Sequence, residues 1–166
     1  MKKILSLIGT ITLIGTSTTS LVACNKIHDQ YTPEELKELK EKNKINTKDE
    51  TIKNNLEWIA PQEKPFNEVD NKWYYVLWRG DKNDDWKIVK FKHKENKGLI
   101  EDYNNFIICI NKEKELYIFK KQGKIGLSQK WNKNDDYFKA VYRWNLTTQE
   151  PNLIIDNKGN IKVNGE

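Results

Sequence analysis

The stretch Trp73-Tyr74-Tyr75-Val76-Leu77-Trp78-Arg79 decides the fold. Side chains alternate between the two faces of a β-strand, so this stretch places three large apolar side chains on one face and three on the other. A strand that is apolar on both faces has to be covered on both sides, because exposed apolar surface is unfavourable in water. We therefore predict that residues 73–79 form a central strand of a sheet.

Further strand-like runs surround this central strand. They are rich in aromatic and β-branched residues and end at Asn, Asp, Lys or Gly, which is typical of short strands joined by turns. We assign them to residues 86–93, 106–110, 115–120, 124–128, 136–144, 152–156 and 160–163. The predicted fold class is mainly β, a small antiparallel meander over residues 57–166 that forms either a barrel or a sandwich, preceded by one short N-terminal helix. We expect Trp144 and either Trp73 or Trp78 in its core.

The residues before this domain are polar and predict a tether over residues 24–56. Within it, Thr32-Pro33-Glu34-Glu35 carries the signature of a capping box, so we expect a helix over about residues 33–43. The apolar stripe of this helix is narrow, which leaves it either resting on the domain edge or standing in solvent as a spacer. Residues 46–58 also allow a short second helix.

The N-terminal residues 1–23 are typical of a secretion signal. Lys2 and Lys3 give a positive start, and an apolar run follows over residues 4–14. That run is too short for a transmembrane helix, which needs roughly twenty apolar residues. Ala23 and Cys24 then stand where such a signal is cleaved.

The sequence Leu21-Val22-Ala23-Cys24 resembles the bacterial lipobox, and the segment as far as about residue 26 is similar to the prolipoproteins of mollicutes. The resemblance implies cleavage between Ala23 and Cys24, a diacylglyceryl group and palmitate-type acyl chains on Cys24, and attachment to the extracytoplasmic face of the cell membrane. The alternative is a conventional signal peptide that leaves Cys24 as an ordinary thiol.

The net charge of the chain bears on which classes of partner it can bind. The 166-residue chain has a net charge of +5, which falls to +3 when Lys2 and Lys3 leave with the signal. So small a charge does not predict a nucleic-acid partner, since such domains concentrate basic residues on one face.

Cys109 lies in an apolar run and is expected to be buried, so we predict no disulfide. No metal-ligand spacing or phosphate-binding glycine loop occurs, so we predict no metal and no cofactor.

Two of the six tryptophans stand beside Asp-rich turns. The segment Lys82-Asn83-Asp84-Asp85-Trp86 has an echo in Lys133-Asn134-Asp135-Asp136-Tyr137, which follows Trp131 closely. We expect Trp86 and Trp131 to be exposed, because both adjoin polar turns. Exposed aromatic faces beside Asp can stack on sugars or peptide side chains. The candidate ligand contacts are therefore Trp86, Trp131, Asp84, Asp85, Asp135 and Asp136.

One tripeptide, Arg79-Gly80-Asp81, matches the motif of integrin-binding proteins. A Gly-Asp turn between two strands explains the same residues through backbone freedom and local hydrogen bonds. The structural interpretation is favoured because three-residue matches are common.

These features favour a non-enzymatic, membrane-anchored surface module that binds a protein or glycan partner. Two alternatives stay open. One is a small membrane-displayed hydrolase or hydrolase inhibitor, which a pocket holding Asp84 or Asp135 with a raised carboxyl pKa would favour. The other is an accessory lipoprotein of a transporter.

Overall fold

The computed structural model describes residues 30–94, 98–121, 128–133 and 135–166. The signal segment, Cys24 and most of the strand predicted at residues 124–128 lie outside the described residues. The described part is mainly β, as the sequence predicts, and none of its helices is long and apolar enough to cross a membrane. Its helices and strands are α1 (Pro33–Lys42), α2 (Glu50–Asn55), β1 (Leu56–Ile59), β2 (Trp73–Trp78), β3 (Lys87–Lys92), β4 (Leu99–Tyr103), β5 (Phe106–Ile110), β6 (Leu116–Lys120), β7 (Ser128–Lys130), β8 (Phe138–Trp144), β9 (Leu153–Ile155) and β10 (Ile161–Val163).

The two helices begin at well-formed caps. At α1 the Thr32 side chain accepts from the Glu35 backbone N–H at 3.2 Å, and the Glu35 carboxylate accepts from the Thr32 N–H at 2.8 Å, which is the predicted capping box. At α2 the Asp49 carboxylate accepts from the Ile52 N–H at 3.0 Å. This second helix ends at Asn55, because the next four residues pair as β1 with β8.

The predicted central strand is confirmed, since β2 lies inside a first sheet with the order β1-β8-β2-β3. All neighbouring strands in this sheet are antiparallel. Tyr74, Val76 and Trp78 are buried on one face of β2, and Tyr75 and Leu77 are buried on the other. β8 also has buried residues on both faces. β8 therefore lies in the interior of the sheet, between β1 and β2, although both of these strands are distant from it in sequence.

The second sheet is a local meander in the order β4-β5-β6-β7. Its β5–β6 hairpin turns where the sequence predicts, and the Glu115 backbone N–H donates to Asn111 Oδ1 at 2.9 Å across the turn. β9 and β10 form the predicted C-terminal hairpin as a separate two-stranded sheet. In the described part of the chain, neither larger sheet closes on itself.

Two clusters of buried apolar residues show how the sheets and helices pack in layers. The first cluster joins β2 to the second sheet, because Val76 and Trp78 pack in the same cluster as Ile108 and Ile118. The second cluster lies on the opposite face of the first sheet and includes Tyr75 together with residues of α2 and the β9–β10 hairpin. The first sheet is thus a middle layer, and the packing matches the sandwich alternative.

The folded unit begins near residue 31, which corrects the boundary predicted at residue 57. Ile45 and Ile52 are 3 % and 9 % exposed and belong to the second core cluster. α1 rests on the domain edge, where Lys40 Nζ lies 2.6 Å from Glu57 Oε1. Isolated apolar residues in a polar stretch reach the core through tertiary contacts, so most of the predicted tether is part of the packed structure.

Candidate functional site

Trp86 lies in a cleft of about 450 Å³ at the turn end of the β2–β3 hairpin. The β2–β3 connection supplies one wall and the β9–β10 turn supplies the other. We call this the Trp86 cleft, and its lining residues are Asp84, Asp85, Trp86, Ile155, Asp156, Asn157 and Gly159.

Arg79 holds the Trp86 ring in place. Its guanidinium carbon lies 4.5 Å from the centroid of the ring, in a cation–π contact. The same guanidinium donates from Nε to the Asp136 carbonyl at 2.6 Å, and the Arg79 backbone N–H donates to the Tyr137 carbonyl at 2.9 Å. Part of the aromatic surface of Trp86 is therefore occupied within the protein, and the side chain is half-buried, which corrects the prediction that it is exposed.

Gly159 brings the β9–β10 turn against the same indole. Its φ of +75° is a conformation that glycine adopts without strain, and a Cβ at this position would lie 2.4 Å from Trp86 Cδ1. Lys139 closes this side, because its Nζ donates to the Lys158 carbonyl at 2.9 Å. Burial lowers the pKa of the Lys139 ammonium. The cleft is thus built around a fixed indole.

Two of the three carboxylates in the cleft are engaged in their own turns. Asp84 Oδ2 accepts from the Asp81 backbone N–H at 3.1 Å. Asp156 Oδ1 accepts from the Asn160 and Lys158 backbone N–H groups, each at 2.8 Å, and these bonds lower the pKa of Asp156. Asp85 is exposed, and none of the described residues donates to its carboxylate. It is therefore the acceptor most available to a ligand.

The second Asp-rich turn lies beside the first, because β3 and β8 both flank β2. Asp136 carries an ion pair across the two turns, with Lys82 Nζ at 2.6 Å from its Oδ2, and this lysine lowers the pKa of Asp136. Asp135 has a structural role, since its carboxylate accepts from the Asn132, Tyr137 and Phe138 backbone N–H groups. Burial raises the pKa of Asp135, but both of its oxygens are engaged in the turn.

Trp131 is buried, which corrects the prediction that it is exposed. It is 8 % exposed, and its ring centroid lies 6.4 Å from that of Phe66 in the first core cluster. Its backbone N–H donates to the Leu116 carbonyl at 3.0 Å, which draws the segment after β7 onto the second sheet. Trp131 contributes instead to the floor of a second cavity, of about 330 Å³, that is separate from the Trp86 cleft.

The other expectations for buried side chains are largely met. Trp78 and Trp144 are each 2 % exposed and lie in the core, whereas Trp73 is half-buried with Lys90 over its ring. Cys109 is half-buried in β5, and burial raises the pKa of its thiol.

The Arg79-Gly80-Asp81 tripeptide is engaged within the fold. Asp81 pairs with Lys120 at 2.9 Å, and Arg79 is held by Trp86 and Asp136. Gly80 is buried, and a Cβ there would lie 2.2 Å from the Phe106 ring. The structure therefore favours the turn interpretation, because both charged side chains have partners in the protein.

The sequence did not point to a group of polar side chains at the opposite end of the first sheet. Glu57 on β1 accepts from Lys40, Arg143 and Asn145. His93, 2 % exposed, lies nearby, with Nδ1 3.5 Å from Asp70 Oδ1. Neither ring nitrogen of His93 makes a hydrogen bond with a described residue, and burial lowers the pKa of the imidazole. A lone histidine at the end of a strand gives no local signal of such burial.

Among the described residues, no group of three or more His, Cys, Asp or Glu side chains is placed to hold a metal ion. Comparisons of the chain with protein-family models, curated proteins and solved structures found no match. What the Trp86 cleft offers chemically is an indole edge beside oxygen acceptors. Such a surface accepts hydrogen bonds from hydroxyl, amide or cationic groups.

Proposed function

We propose that the protein is a lipoprotein, anchored through Cys24, that displays a non-enzymatic binding module on the extracytoplasmic face of the membrane. The observation that carries the proposal is the N-terminal order of positive start, short apolar run, small residue and cysteine. Because Tyr31 already contacts Trp58 and Lys133, the proposal implies a short linker between lipid and domain.

Mass spectrometry of the native protein tests the anchor. We expect the N-terminal peptide to begin at Cys24 and to carry the mass of a diacylglyceryl group. Protease treatment of intact cells should also degrade the domain, since the proposal places it outside the membrane. An N-terminal peptide with an unmodified thiol, or one that still begins at Met1, would rule the anchor out.

We further propose that the Trp86 cleft is the surface through which the module contacts a protein or glycan partner. Support comes from the indole at the centre of the cleft and from the exposed carboxylate of Asp85 next to it. Aromatic rings give a large contact area at low entropic cost, and a carboxylate forms strong hydrogen bonds to hydroxyl or cationic donors.

Replacing Asp85 with asparagine is expected to weaken partner binding by roughly tenfold or more, because a hydrogen bond to a charged group contributes about 1.5–3 kcal/mol. The measurement is binding of the purified protein to immobilised glycans and to basic peptides. Asp102→Asn is the matched control, since it removes the charge of an exposed carboxylate on β4 in the second sheet. Equal binding by wild type and Asp85→Asn would exclude the cleft as the contact surface.

A further inference from the structure

A second cavity, of about 330 Å³, lies where the chain enters the folded unit. Phe66 and Trp131 give it an apolar floor, and Gln30, the first described residue, is part of its wall. We call it the Lys114 cavity. Four lysines and two glutamates line it, namely Lys64, Lys114, Lys130, Lys133, Glu113 and Glu115.

The charges in this cavity favour an anion. Glu115 is paired with Lys130, so it is neutralised locally. Lys133 Nζ lies 3.8 Å from Glu35 Oε2 and 4.3 Å from the Tyr31 ring centroid, so its charge is offset by α1 and it ties the cavity wall to the start of the folded unit. Lys64 and Lys114 then stand against Glu113, so the cavity keeps a small net positive charge that attracts phosphate-type oxygens.

The backbone at two of these lysines is unusual. Lys64 and Lys114 have φ values of 47° and 64°, in the left-handed region that favours glycine or asparagine. The other non-glycine residues with positive φ among the described residues are Asn71 and Asn104, for which the conformation is ordinary. Both residues close turns, since Lys64 ends the 3₁₀ turn Pro61–Glu63 and the Lys114 N–H donates to the Asn111 carbonyl at 3.1 Å, and these turns bring the two lysines to the same cavity.

The position of the cavity relative to the anchor identifies the source of the anion. Residues 25–29 separate the lipid-bearing Cys24 of the proposed anchor from Gln30. Six Cα–Cα steps span at most about 22 Å, since each extended residue covers at most about 3.6 Å. A domain of this size is roughly 35 Å across, so such a tether keeps the wall at Gln30 on the membrane-proximal part of the domain.

We propose that the Lys114 cavity binds the headgroup phosphate of an anionic phospholipid in the membrane that carries the protein. The proposal rests on the proposed anchor, which supplies the orientation. The anchor also makes weak binding effective, because it keeps the cavity at a high local concentration of headgroups. Headgroup binding would fix the domain in one orientation and leave the Trp86 cleft free for its partner.

The test uses the chain from residue 24 onward with Cys24→Ser, which keeps every described residue and removes the lipid. We expect it to sediment with vesicles of phosphatidylcholine and phosphatidylglycerol and to remain in solution with vesicles of phosphatidylcholine alone. Added salt should weaken the association, since charge attraction is screened. Glycerol phosphate at constant ionic strength should compete for the cavity.

Lys64→Glu combined with Lys114→Glu should reduce binding to the anionic vesicles by roughly tenfold or more, since each lysine near an anionic surface contributes about a factor of five. Lys42→Glu combined with Lys162→Glu is the matched control, because it makes the same charge change around a different basic groove, near Ile45. A neutral double variant, Lys64→Gln with Lys114→Gln, should also bind less tightly. Thermal unfolding of all variants shows whether any of them loses binding only because it no longer folds.

Equal binding to both kinds of vesicle, or equal loss of binding in the two charge-reversed pairs, would overturn the proposal. Competition by glycerol phosphate without any vesicle binding would identify a free phosphate compound as the ligand and would also overturn it. These outcomes are independent of the anchor, because the protein tested carries no acyl chain. Failure of the anchor is detected separately, in the mass of the native N-terminal peptide.

Discussion

Replacing Cys24 with serine is expected to transfer essentially all of the protein from the membrane fraction to the soluble fraction. A serine hydroxyl cannot form the thioether that would carry the proposed diacylglyceryl group, so no acyl chain would be attached. Each buried methylene contributes about 0.8 kcal/mol to membrane binding, and two chains hold a protein firmly whereas one chain binds marginally. The measurements are membrane fractionation and incorporation of radiolabelled palmitate.

Cys109→Ser is the matched control for this prediction, because it removes the second of the two cysteines. Cys109 is half-buried in β5, so the variant should keep both the label and the membrane location. If Cys24→Ser stays in the membrane fraction, or if the label disappears with Cys109→Ser, the anchor is not at Cys24. Residual attraction of the unlipidated domain to anionic headgroups is removed by washing at high salt.

Replacing Glu57 with glutamine is expected to lower the free energy of unfolding by about 2 kcal/mol at neutral pH. Glu57 joins three parts of the fold, since Lys40 of α1 and Arg143 of β8 lie 2.6 Å and 2.8 Å from its carboxylate oxygens. Burial alone would raise the pKa of Glu57, but hydrogen bonds from Lys40, Asn145 and Arg143 overcome this effect and lower the pKa to about 2. Removing the charge leaves Arg143 without its nearest carboxylate.

The same carboxylate predicts how stability depends on pH. The folded-state pKa of Glu57 is about 2 and the ordinary value is 4.5, so the folded protein favours the ionised form. Its contribution is complete above about pH 5 and is lost as the pH falls from there towards 2. The full shift would be worth about 3 kcal/mol, and the partial exposure of the side chain reduces this through solvent screening.

Urea unfolding of wild type and Glu57→Gln at a series of pH values measures both effects. The two stability curves should converge as the pH falls, since protonation removes the charge from the wild type as well. Glu41→Gln is the control, because Glu41 pairs with Lys44 on the exposed surface of α1 and its loss should change stability by less than about 0.5 kcal/mol. Parallel curves for wild type and Glu57→Gln would contradict the prediction.

The sequence was informative wherever the local pattern is strong. The alternation in residues 73–79 correctly predicted a central strand, and the β2–β3, β5–β6 and β9–β10 hairpins form at the predicted turns. In each of these cases the partner strand is the next one along the chain. Local turn chemistry is then enough to specify the pairing.

Two strands could not be predicted because their pairing is set by distant residues. β1 follows α2 directly, with no turn residue between them, and pairs with β8 more than 80 positions later. β4 carries Glu101 and Asp102 side by side and has an irregular register with β5, as suits an edge strand. Neither run alternates clearly enough to be recognised from the sequence alone.

The candidate site, too, has one part that the local sequence predicts and one part that depends on distant residues. Trp86 and its acidic turn follow from the sequence, whereas the opposite wall, at Asp156 and Gly159, depends on how the β9–β10 hairpin packs. Trp131 was misjudged because its neighbours in the chain are polar. Its burial comes instead from contact with Phe66 and from the hydrogen bond to Leu116.

The place of β8 in the first sheet has a consequence for biogenesis. Because β8 lies between β1 and β2, that sheet stays incomplete until residue 144 is available for pairing. Sheets built from such distant segments form slowly, since the entropy of closing a long loop is lost before the strand contacts that compensate for it can form. If the protein is exported as proposed, this delay would help it to cross the translocation channel unfolded, because the first sheet cannot be completed while β8 is still on the other side.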